Sequence, residues 1–370
     1  MRTARIIAPA HHEKAYYHCI SRIVNREFVL HEQEKEQFVG LMRKYEKLYG
    51  LRVVTYCIMS NHFHILVEVP QAKELTYTEL IALVTECLGE KEGKSLSWRI
   101  NHYLEQGNTR ALEELIKSWH DRMWNISSYM KILKQRFSQW FNKAHKRTGT
   151  LWETRFHSTL VQAEGRALKT MAAYIDLNPV RAKMCEDPKD YRWSGYGEAV
   201  AGDKRSRSNL HFLTTVSNIG GLKPNEYCPA NTAESLEMWR RILFGAPENP
   251  SMLVEWQELQ VLAEERAKGT NLQVDILGSV QRRLPKEKAL EVLANGGKLS
   301  QYQYLGCRMR YFCDGAAIGA KSFIEEVFQS NREKFGKTRE DGARKVEGLI
   351  SDNEEIALHT LREFRNNVFG

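Results

Sequence analysis

The segment from Cys57 to Val69 constrains the fold more than any other part of this chain. It reads CIMSNHFHILVEV, and its aromatic and β-branched residues predict a β-strand. Side chains two apart on a strand share a face, so His62 and His64 leave one face and Phe63 and Ile65 the other. Two adjacent imidazoles can bind a metal ion if a third donor joins them. By itself the pattern is also compatible with two packed strand histidines.

A second segment, Leu168 to Val180, offers the missing groups. It predicts the last turns of a helix, because Pro179 makes continuation difficult. Tyr174 and Asn178 are four residues apart and therefore share a helix face. A phenol can act as a nucleophile, and an amide oxygen can bind a hard metal ion. The ordinary alternatives are a packed helix tyrosine and a helix-end asparagine.

Taken together, these two segments resemble the REP-associated tyrosine transposases. That family belongs to the single-tyrosine HUH transposases, which act on single-stranded DNA. The resemblance extends over roughly residues 10–200, apart from an insertion, and its motifs occur in the family's order. Its motifs are Asn61 to His64, Tyr174 to Val180, Tyr17 to Arg22, Gly149 to Phe156 and Tyr191 to Tyr196.

The resemblance implies an α+β fold, with a ferredoxin-like antiparallel sheet and helices on one face. It implies that Tyr174 is the catalytic nucleophile, forming a 5′-phosphotyrosine. It also implies a divalent metal, Mg²⁺ or Mn²⁺, bound by His62, His64 and Asn178. Ligand chemistry alone favours Mn²⁺ or Zn²⁺, because imidazole is not a preferred ligand of Mg²⁺. The DNA implied is an imperfect hairpin repeat flanked by a short guide sequence.

Basic residues near these motifs are candidates for contacts with DNA. On the helix predicted from Ile126 to Ala144, basic side chains lie among aromatic ones, as suits single-stranded nucleic acid. A solvated helix face over an apolar stripe is the alternative. His157 could add a third histidine to the metal cluster. The predicted DNA-binding residues are Arg22, Arg26, Lys131, Lys134, Arg136, Arg147, Arg155, Arg181 and Lys183.

The composition is that of an ordinary soluble globular protein with a basic balance. The net charge of +8 and pI of about 9.0 are compatible with a polyanionic partner. No apolar run reaches membrane-span length, and residues 1–10 lack the apolar core of a signal peptide. The 7 cysteines form no C-x-x-C pair, which gives no support for a zinc knuckle and predicts reduced thiols in a cytoplasmic protein. Such a protein would be nucleoid-associated when bound to DNA.

The order of patterns predicts three regions. Residues 1–200 are expected to form the transposase domain with a helical insertion at about 75–120. Residues 201–250 are expected to be a linker or mixed segment that begins with a polar, basic exposed loop or hinge at 201–208, and residues 251–370 a helical C-terminal domain of unknown role. That last domain could grip nucleic acid or serve as a structural or dimerising tail, and monomer and homodimer remain open. Within the first region we expect strands at Ala15 to Ile23 and Trp152 to Gln162, with His18 a half-buried strand histidine. A helix is expected at Glu32 to Tyr49.

The function predicted is a metal-dependent transposase, a DNA strand transferase and endonuclease active in transposition and recombination. It would cleave and rejoin single-stranded DNA at hairpin-forming repeats. The main alternative is a non-catalytic hairpin or single-stranded DNA-binding protein descended from a transposase. A metallohydrolase with a structural Tyr174, and a zinc-dependent structural module, are further alternatives.

Overall fold

An antiparallel sheet flanked by helices forms the centre of the molecule. The structure is a computed structural model that describes residues 5–164, 166–215, 228–244, 310–346 and 357–362. Within these described residues, seven strands make one sheet in the order β2-β3-β1-β4-β5-β7-β6. The strands are β1 Lys14–Arg22, β2 Arg52–Ile58, β3 His62–Pro70, β4 His157–Val161, β5 Ala317–Gly319, β6 Arg344–Lys345 and β7 His359–Thr360. The pairings are antiparallel except for β4 with β5, so the α+β class is confirmed.

Helices connect these strands and cover them. Short 3₁₀ turns occur at Val24–Arg26, Pro188–Asp190 and Arg332–Lys334. The helices are α1 Glu32–Leu48, α2 Tyr77–Leu88, α3 Glu90–Glu105, α4 Thr109–His120, α5 Ile126–Ala144, α6 Arg166–Asp176, α7 Asn178–Arg181, α8 Gly195–Val200, α9 Lys204–Thr215, α10 Thr232–Leu243, α11 Arg310–Cys313 and α12 Lys321–Ser330. The helix expected at Ile126 to Ala144 is confirmed. In the described part of the chain, no helix is both long and apolar enough to cross a bilayer.

Each face of the sheet has its own hydrophobic core. On one face Phe63 and Ile65 of β3 pack with the helices α1 to α5. On the other face Leu66 of β3 packs with residues of α6, α8, α9, α10 and α11, including Trp239. Helices therefore lie on both faces, whereas the resemblance implied one. The alternation along β3 agrees with the period of two in its sequence.

Some local expectations were wrong. The strand expected at Trp152 to Gln162 forms only as β4, so Arg155 lies before it and shares no strand face with His157. The polar, basic stretch at 201–208 was expected to be an exposed loop, but α9 begins at Lys204. The Ser206 amide donates a hydrogen bond to Asp203 Oδ1 at 2.7 Å, which satisfies one of the backbone donors in the first turn of the helix.

The described residues near the C-terminus include strands as well as the helices α11 and α12. Strands β5, β6 and β7 extend the N-terminal sheet, and the amides of Leu160 and Gln162 donate to the carbonyls of Ala316 and Ile318 at 2.9 and 3.0 Å. Strands of two or three residues carry no readable alternation, because their partners rather than their sequence define them. Residues 251–309, 347–356 and 363–370 of the expected C-terminal domain lie outside the described residues.

Gly89 and Gly93 have different structural roles. Gly89 has φ +106° and ends α2. Gly93 lies inside α3, and a Cβ there would sit 2.8 Å from Thr85 Cβ and 3.1 Å from its Cα. A glycine at position 93 therefore allows α2 and α3 to pack closely.

We predict opposite effects of two helix glycine-to-alanine substitutions. Gly93→Ala should destabilise the protein by roughly 1–3 kcal/mol, since the new methyl overlaps the α2 backbone. Gly40→Ala, in α1 with nothing within 4 Å of the added Cβ, should stabilise it by about 0.5–1 kcal/mol. Urea unfolding midpoints of the two variants provide the measurement. Equal shifts in the same direction would contradict the close packing of α2 on α3.

Candidate active site

The two histidines of β3 lie side by side on the sheet face that carries α6. The register pairs Ile20 with His64 and Arg22 with His62. The ring centroids of His62 and His64 are 5.0 Å apart. His64 is buried at 3% exposure, and His62 is half-buried. The prediction that these two side chains share a face is confirmed.

A hydrogen-bonded chain fixes the orientation of His64. Its Nδ1 lies 2.9 Å from His18 Nε2, and His18 Nδ1 lies 2.9 Å from the carbonyl oxygen of Phe312. A carbonyl oxygen can only accept, so His18 donates from Nδ1 and accepts at Nε2 from Nδ1–H of His64. His64 therefore carries its proton on Nδ1 and has its lone pair on Nε2.

Burial keeps both members of this chain neutral. Desolvation is the main cause that lowers the pKa of His18 to about 3. Desolvation also lowers the pKa of His64 well below its ordinary value, followed by the neighbouring His62, His18, Arg181 and Arg22. Neutral imidazole is the form that binds metal ions, so His64 is ready to act as a ligand at neutral pH.

His62 is oriented by its sequence neighbour. Asn61 donates its Nδ2 to the carbonyl of Arg26 at 3.0 Å, which turns its Oδ1 towards His62. The distance from that Oδ1 to His62 Nδ1 is 2.6 Å. Asn61 therefore holds the proton of His62 on Nδ1, as His18 does for His64. Hydrogen bonds of this kind set ring orientation and ligand basicity in metal sites.

Tyr174 lies beside the two buried histidines. Its ring centroid is 6.3 Å from that of His64 and 6.5 Å from that of His18. Its side chain is 1% exposed, its Oη lies 3.0 Å from Cys313 Sγ, and its ring is 4.8 Å from the ring of Phe312. The C-terminal residues of α11 therefore cover the predicted nucleophile.

Asn178 and Arg181 follow Tyr174 along the same stretch of chain. The helix breaks at Leu177, and Pro179 lies in the first turn of α7. Asn178 donates its Nδ2 to the carbonyls of Tyr174 and Ile175 at 3.3 and 3.1 Å, which turns its Oδ1 away from them. The Arg181 guanidinium carbon lies 3.8 Å from the Tyr174 ring centroid, and its Nη2 donates to the Tyr174 carbonyl at 2.7 Å.

A buried carboxyl anchors α6, the helix that carries Tyr174, to the sheet. Thr55 Oγ1 of β2 donates to Asp176 Oδ1 at 2.7 Å, and Trp239 Nε1 of α10 donates to its Oδ2 at 2.9 Å. Burial is the main cause that raises the pKa of Asp176 to about 7, and its hydrogen bonds oppose that shift. These bonds join α6 to both β2 and α10.

The predicted DNA-binding residues fall into separate groups. Arg22 and Arg181 lie close enough to His64 to lower its pKa. Lys134 donates to the Thr154 carbonyl at 2.8 Å, and burial followed by Arg155 lowers its pKa to about 8. The Arg147 guanidinium carbon lies 5.6 Å from the Phe141 ring centroid. The exposed members are Arg26, Lys131, Arg136, Arg155 and Lys183.

Sequence reasoning missed the partners that hold the site together. His18 was expected to be a half-buried strand histidine, but it is fully buried and bonds to His64. His18 is two residues before Ile20 and shares its strand face, and Ile20 is the cross-strand partner of His64. This spacing was the signal that could have identified His18 as a neighbour of His64. Phe312 and Cys313 carried no signal, because they lie far from the motifs in sequence. His157 is not part of any metal-ligand cluster found among the described His, Cys, Asp and Glu residues.

One family model matches the N-terminal part of the chain. Residues 11–82 match the family model described as Transposase IS200 like. That segment spans β1 to β3 and includes His18, His62 and His64. The resemblance to transposases of this class is therefore confirmed over these residues.

Two solved structures also align with the chain at low similarity. One is the REP-associated tyrosine transposase bound to a REP hairpin, at 13% identity and a TM-score of 0.35, covering 55% of this chain and 87% of that one. The other is a protein from Deinococcus radiodurans R1 assigned as a transposase, at 14% identity and a TM-score of 0.21, covering 50% and 92%. No curated protein matches the chain.

We predict that His18 determines the tautomer of His64. In His18→Leu the Nδ1–H of His64 loses its acceptor, so the ring should no longer be held in one tautomer. In His18→Gln the amide can accept from His64 and donate to the Phe312 carbonyl, so the Nδ1–H form should persist. Nitrogen-15 shifts of selectively labelled histidine give the tautomer in each protein. A His64 spectrum that is identical in wild type and His18→Leu would contradict this role.

Proposed function

We propose that this chain is a transposase that cleaves and rejoins single-stranded DNA at hairpin-forming repeats, with Tyr174 as the nucleophile. The observation that carries the proposal is the convergence of His62, His64 and Tyr174 on one face of the sheet. The family match over residues 11–82 supports it from the sequence side.

The donor set suits a divalent metal ion. Asn61 and His18 hold protons on Nδ1 of the two histidines, which gives each of them an Nε2 lone pair. The hydrogen bonds of Asn178 Nδ2 direct its oxygen away from the helix carbonyls. His62, His64 and Asn178 would hold the ion, which is Mg²⁺ or Mn²⁺ by family expectation and Mn²⁺ or Zn²⁺ by ligand chemistry alone. When bound, such an ion supplies Lewis-acid stabilisation of the scissile phosphate.

The covalent step is an in-line substitution at phosphorus. Tyr174 Oη forms a bond to the phosphorus as the bond to the 3′-oxygen breaks, giving a 5′-phosphotyrosine and a strand with a free 3′-hydroxyl. The phenol loses its proton and the departing 3′-oxygen gains one. Attack by a 3′-hydroxyl on the phosphotyrosine reverses the step and rejoins the strands, so no nucleotide cofactor is required.

Arg181 and Arg22 are the basic groups best placed to assist. Both lie close enough to His64 to act on it electrostatically. Their positive charge would attract the phosphate and favour the phenolate form of Tyr174. The other predicted basic residues, including the exposed Lys131 and Arg136 of α5, would bind the DNA strand beyond the cleavage position.

DNA binding without cleavage is a second candidate function. It is favoured by the 1% exposure of Tyr174 and by its contact with Cys313. A permanently covered tyrosine could not reach a phosphate, whereas basic residues on the surface would still bind a hairpin. The two functions differ in whether a protein–DNA adduct forms.

We predict that the protein cuts end-labelled, hairpin-forming single-stranded DNA taken from beside its own gene. With Mg²⁺ or Mn²⁺, a shortened strand and a denaturation-resistant protein–DNA adduct should appear. Tyr174→Phe should lower cleavage by at least 1,000-fold, roughly as expected for loss of a nucleophile. EDTA should abolish both products.

A second buried tyrosine provides the control for that experiment. Tyr129 is fully buried, and its hydroxyl donates to the Met42 carbonyl on the opposite face of the sheet. Tyr129→Phe loses a buried hydroxyl as Tyr174→Phe does, but should still cut. Binding without any adduct would favour the non-catalytic function. Metal-dependent cutting by Tyr174→Phe would assign the nucleophile elsewhere.

Cleavage also requires a movement of the residues that cover Tyr174. We predict that hairpin DNA increases amide hydrogen exchange in residues 310–319 by about tenfold or more, because α11 must leave the phenol before a phosphate can approach. Exchange measured by mass spectrometry on the wild-type protein in EDTA separates this motion from cleavage. Exchange in β2 and β3 should stay constant. Unchanged protection of 310–319 in the DNA complex would show that the phosphate reaches Tyr174 by another route.

A further inference from the structure

Three side chains of types that can ligate a metal meet at the end of the sheet opposite to the candidate active site. His11 Nε2 and His12 Nε2 lie 2.9 and 3.0 Å from the same oxygen, Oε1 of Glu326. The two histidines come from the N-terminal arm and the glutamate from α12. Among the described residues, they form the one group of three His, Cys, Asp or Glu side chains with ligand atoms within 4.8 Å of one another.

The backbone holds these side chains in place before any ion binds. The His12 amide donates to the Pro9 carbonyl at 3.1 Å, so the two histidines sit on a tight turn with ring centroids 4.6 Å apart. The arm is fixed to the end of α12 by a reciprocal pair of bonds, in which the Ile7 amide donates to Asn331 Oδ1 at 3.1 Å and Asn331 Nδ2 donates to the Ile7 carbonyl at 2.8 Å. The His12 ring also contacts Phe323 edge-on, at 6.0 Å between centroids.

The spacing of the three atoms fits a tetrahedral or five-coordinate ion. Bonds of about 2.0–2.1 Å to nitrogen and oxygen at a tetrahedral angle separate two ligand atoms by roughly 3.3 Å. The nitrogen-to-oxygen distances of 2.9 and 3.0 Å need to widen by only a few tenths of an ångström. Exposures of 72% for His11, 31% for His12 and 35% for Glu326 leave room for water to complete the coordination.

We propose that His11, His12 and Glu326 bind a divalent transition-metal ion of the Zn²⁺ type. Two imidazoles and one carboxylate suit Zn²⁺, Co²⁺ or Ni²⁺ and do not suit Mg²⁺, which prefers oxygen ligands. The bound ion would tie the N-terminal arm to α12. Such an ion would therefore connect the segment before β1 to the C-terminal part of the chain. The same part contains α11, which covers Tyr174.

This site is distinct from the one at His62 and His64. Lys14 begins β1, and Ile20 near its other end pairs with His64. At ~3.3 Å per residue, the strand places those two positions about 20 Å apart. The proposal rests on contacts that the transposase chemistry does not use, so either one can fail without the other.

Cobalt binding to the full-length, tag-free protein tests the proposal. Co²⁺ is the probe, because its visible absorption bands report nitrogen and oxygen ligation and thiolate ligation adds a separate near-ultraviolet band. We expect Glu326→Gln and His12→Asn each to lose one equivalent of Co²⁺, or to bind it at least tenfold more weakly, in calorimetric titrations. His62→Asn should retain the equivalent that depends on Glu326.

Matched variants decide between the outcomes. Glu333→Gln removes an exposed carboxylate just beyond α12 and should bind Co²⁺ as the wild type does. Co²⁺ should also raise the thermal unfolding midpoint of the His62→Asn protein, and it should do so less once Glu326→Gln is added. If Glu326→Gln and His12→Asn titrate like Glu333→Gln, the cluster is a hydrogen-bonded contact only and the proposal is wrong.

Discussion

The antiparallel pairing of β1 with β3 is the interaction on which the candidate site depends. Its register sets Ile20 opposite His64 and Arg22 opposite His62, and it brings His18 diagonally next to His64. A slip of one residue would turn every one of these side chains to the face occupied by α1 and α5. Phe63 and Ile65, buried among those helices, oppose such a slip because it would expose them. Core packing on one face of the sheet therefore fixes which side chains lie together on the other face.

Helix α6, which carries Tyr174, is held against this face by polar contacts as well as apolar ones. Asp176 accepts from Thr55 of β2 and from Trp239 of α10, and it lies two residues after Tyr174. An unsatisfied buried carboxyl would be strongly destabilising, so both donors hold the end of α6 in one position. The ring of Tyr174 is in turn confined by Arg181, Phe312 and Cys313. The site is thus well ordered but closed.

The C-terminal residues take part in the same structure as the N-terminal motifs. The carbonyl of Phe312 ends the hydrogen-bonded chain through His18 to His64, and Ala317–Gly319 adds a strand beside β4. The same region reaches the N-terminal arm at Glu326 and Asn331. A movement of α11 that uncovers Tyr174 would also remove the acceptor of His18, so access to Tyr174 and orientation of the histidines are coupled through one segment.

The sequence by itself determined the elements with strong local patterns. The period of two in β3 gave the shared face of His62 and His64, and the apolar spacing of Ile126–Ala144 gave α5, since both depend on short-range geometry. Motifs spread over roughly residues 10–200 showed a resemblance to transposases, and the family match confirms it over residues 11–82. Only the tertiary structure decided the rest. The partnership of His18 with His64, the cover over Tyr174, the strand at Ala317 and the cluster at Glu326 join residues 46 to 315 positions apart. Contacts over such separations arise from packing and strand pairing, which leave no periodic signal in the residues that make them.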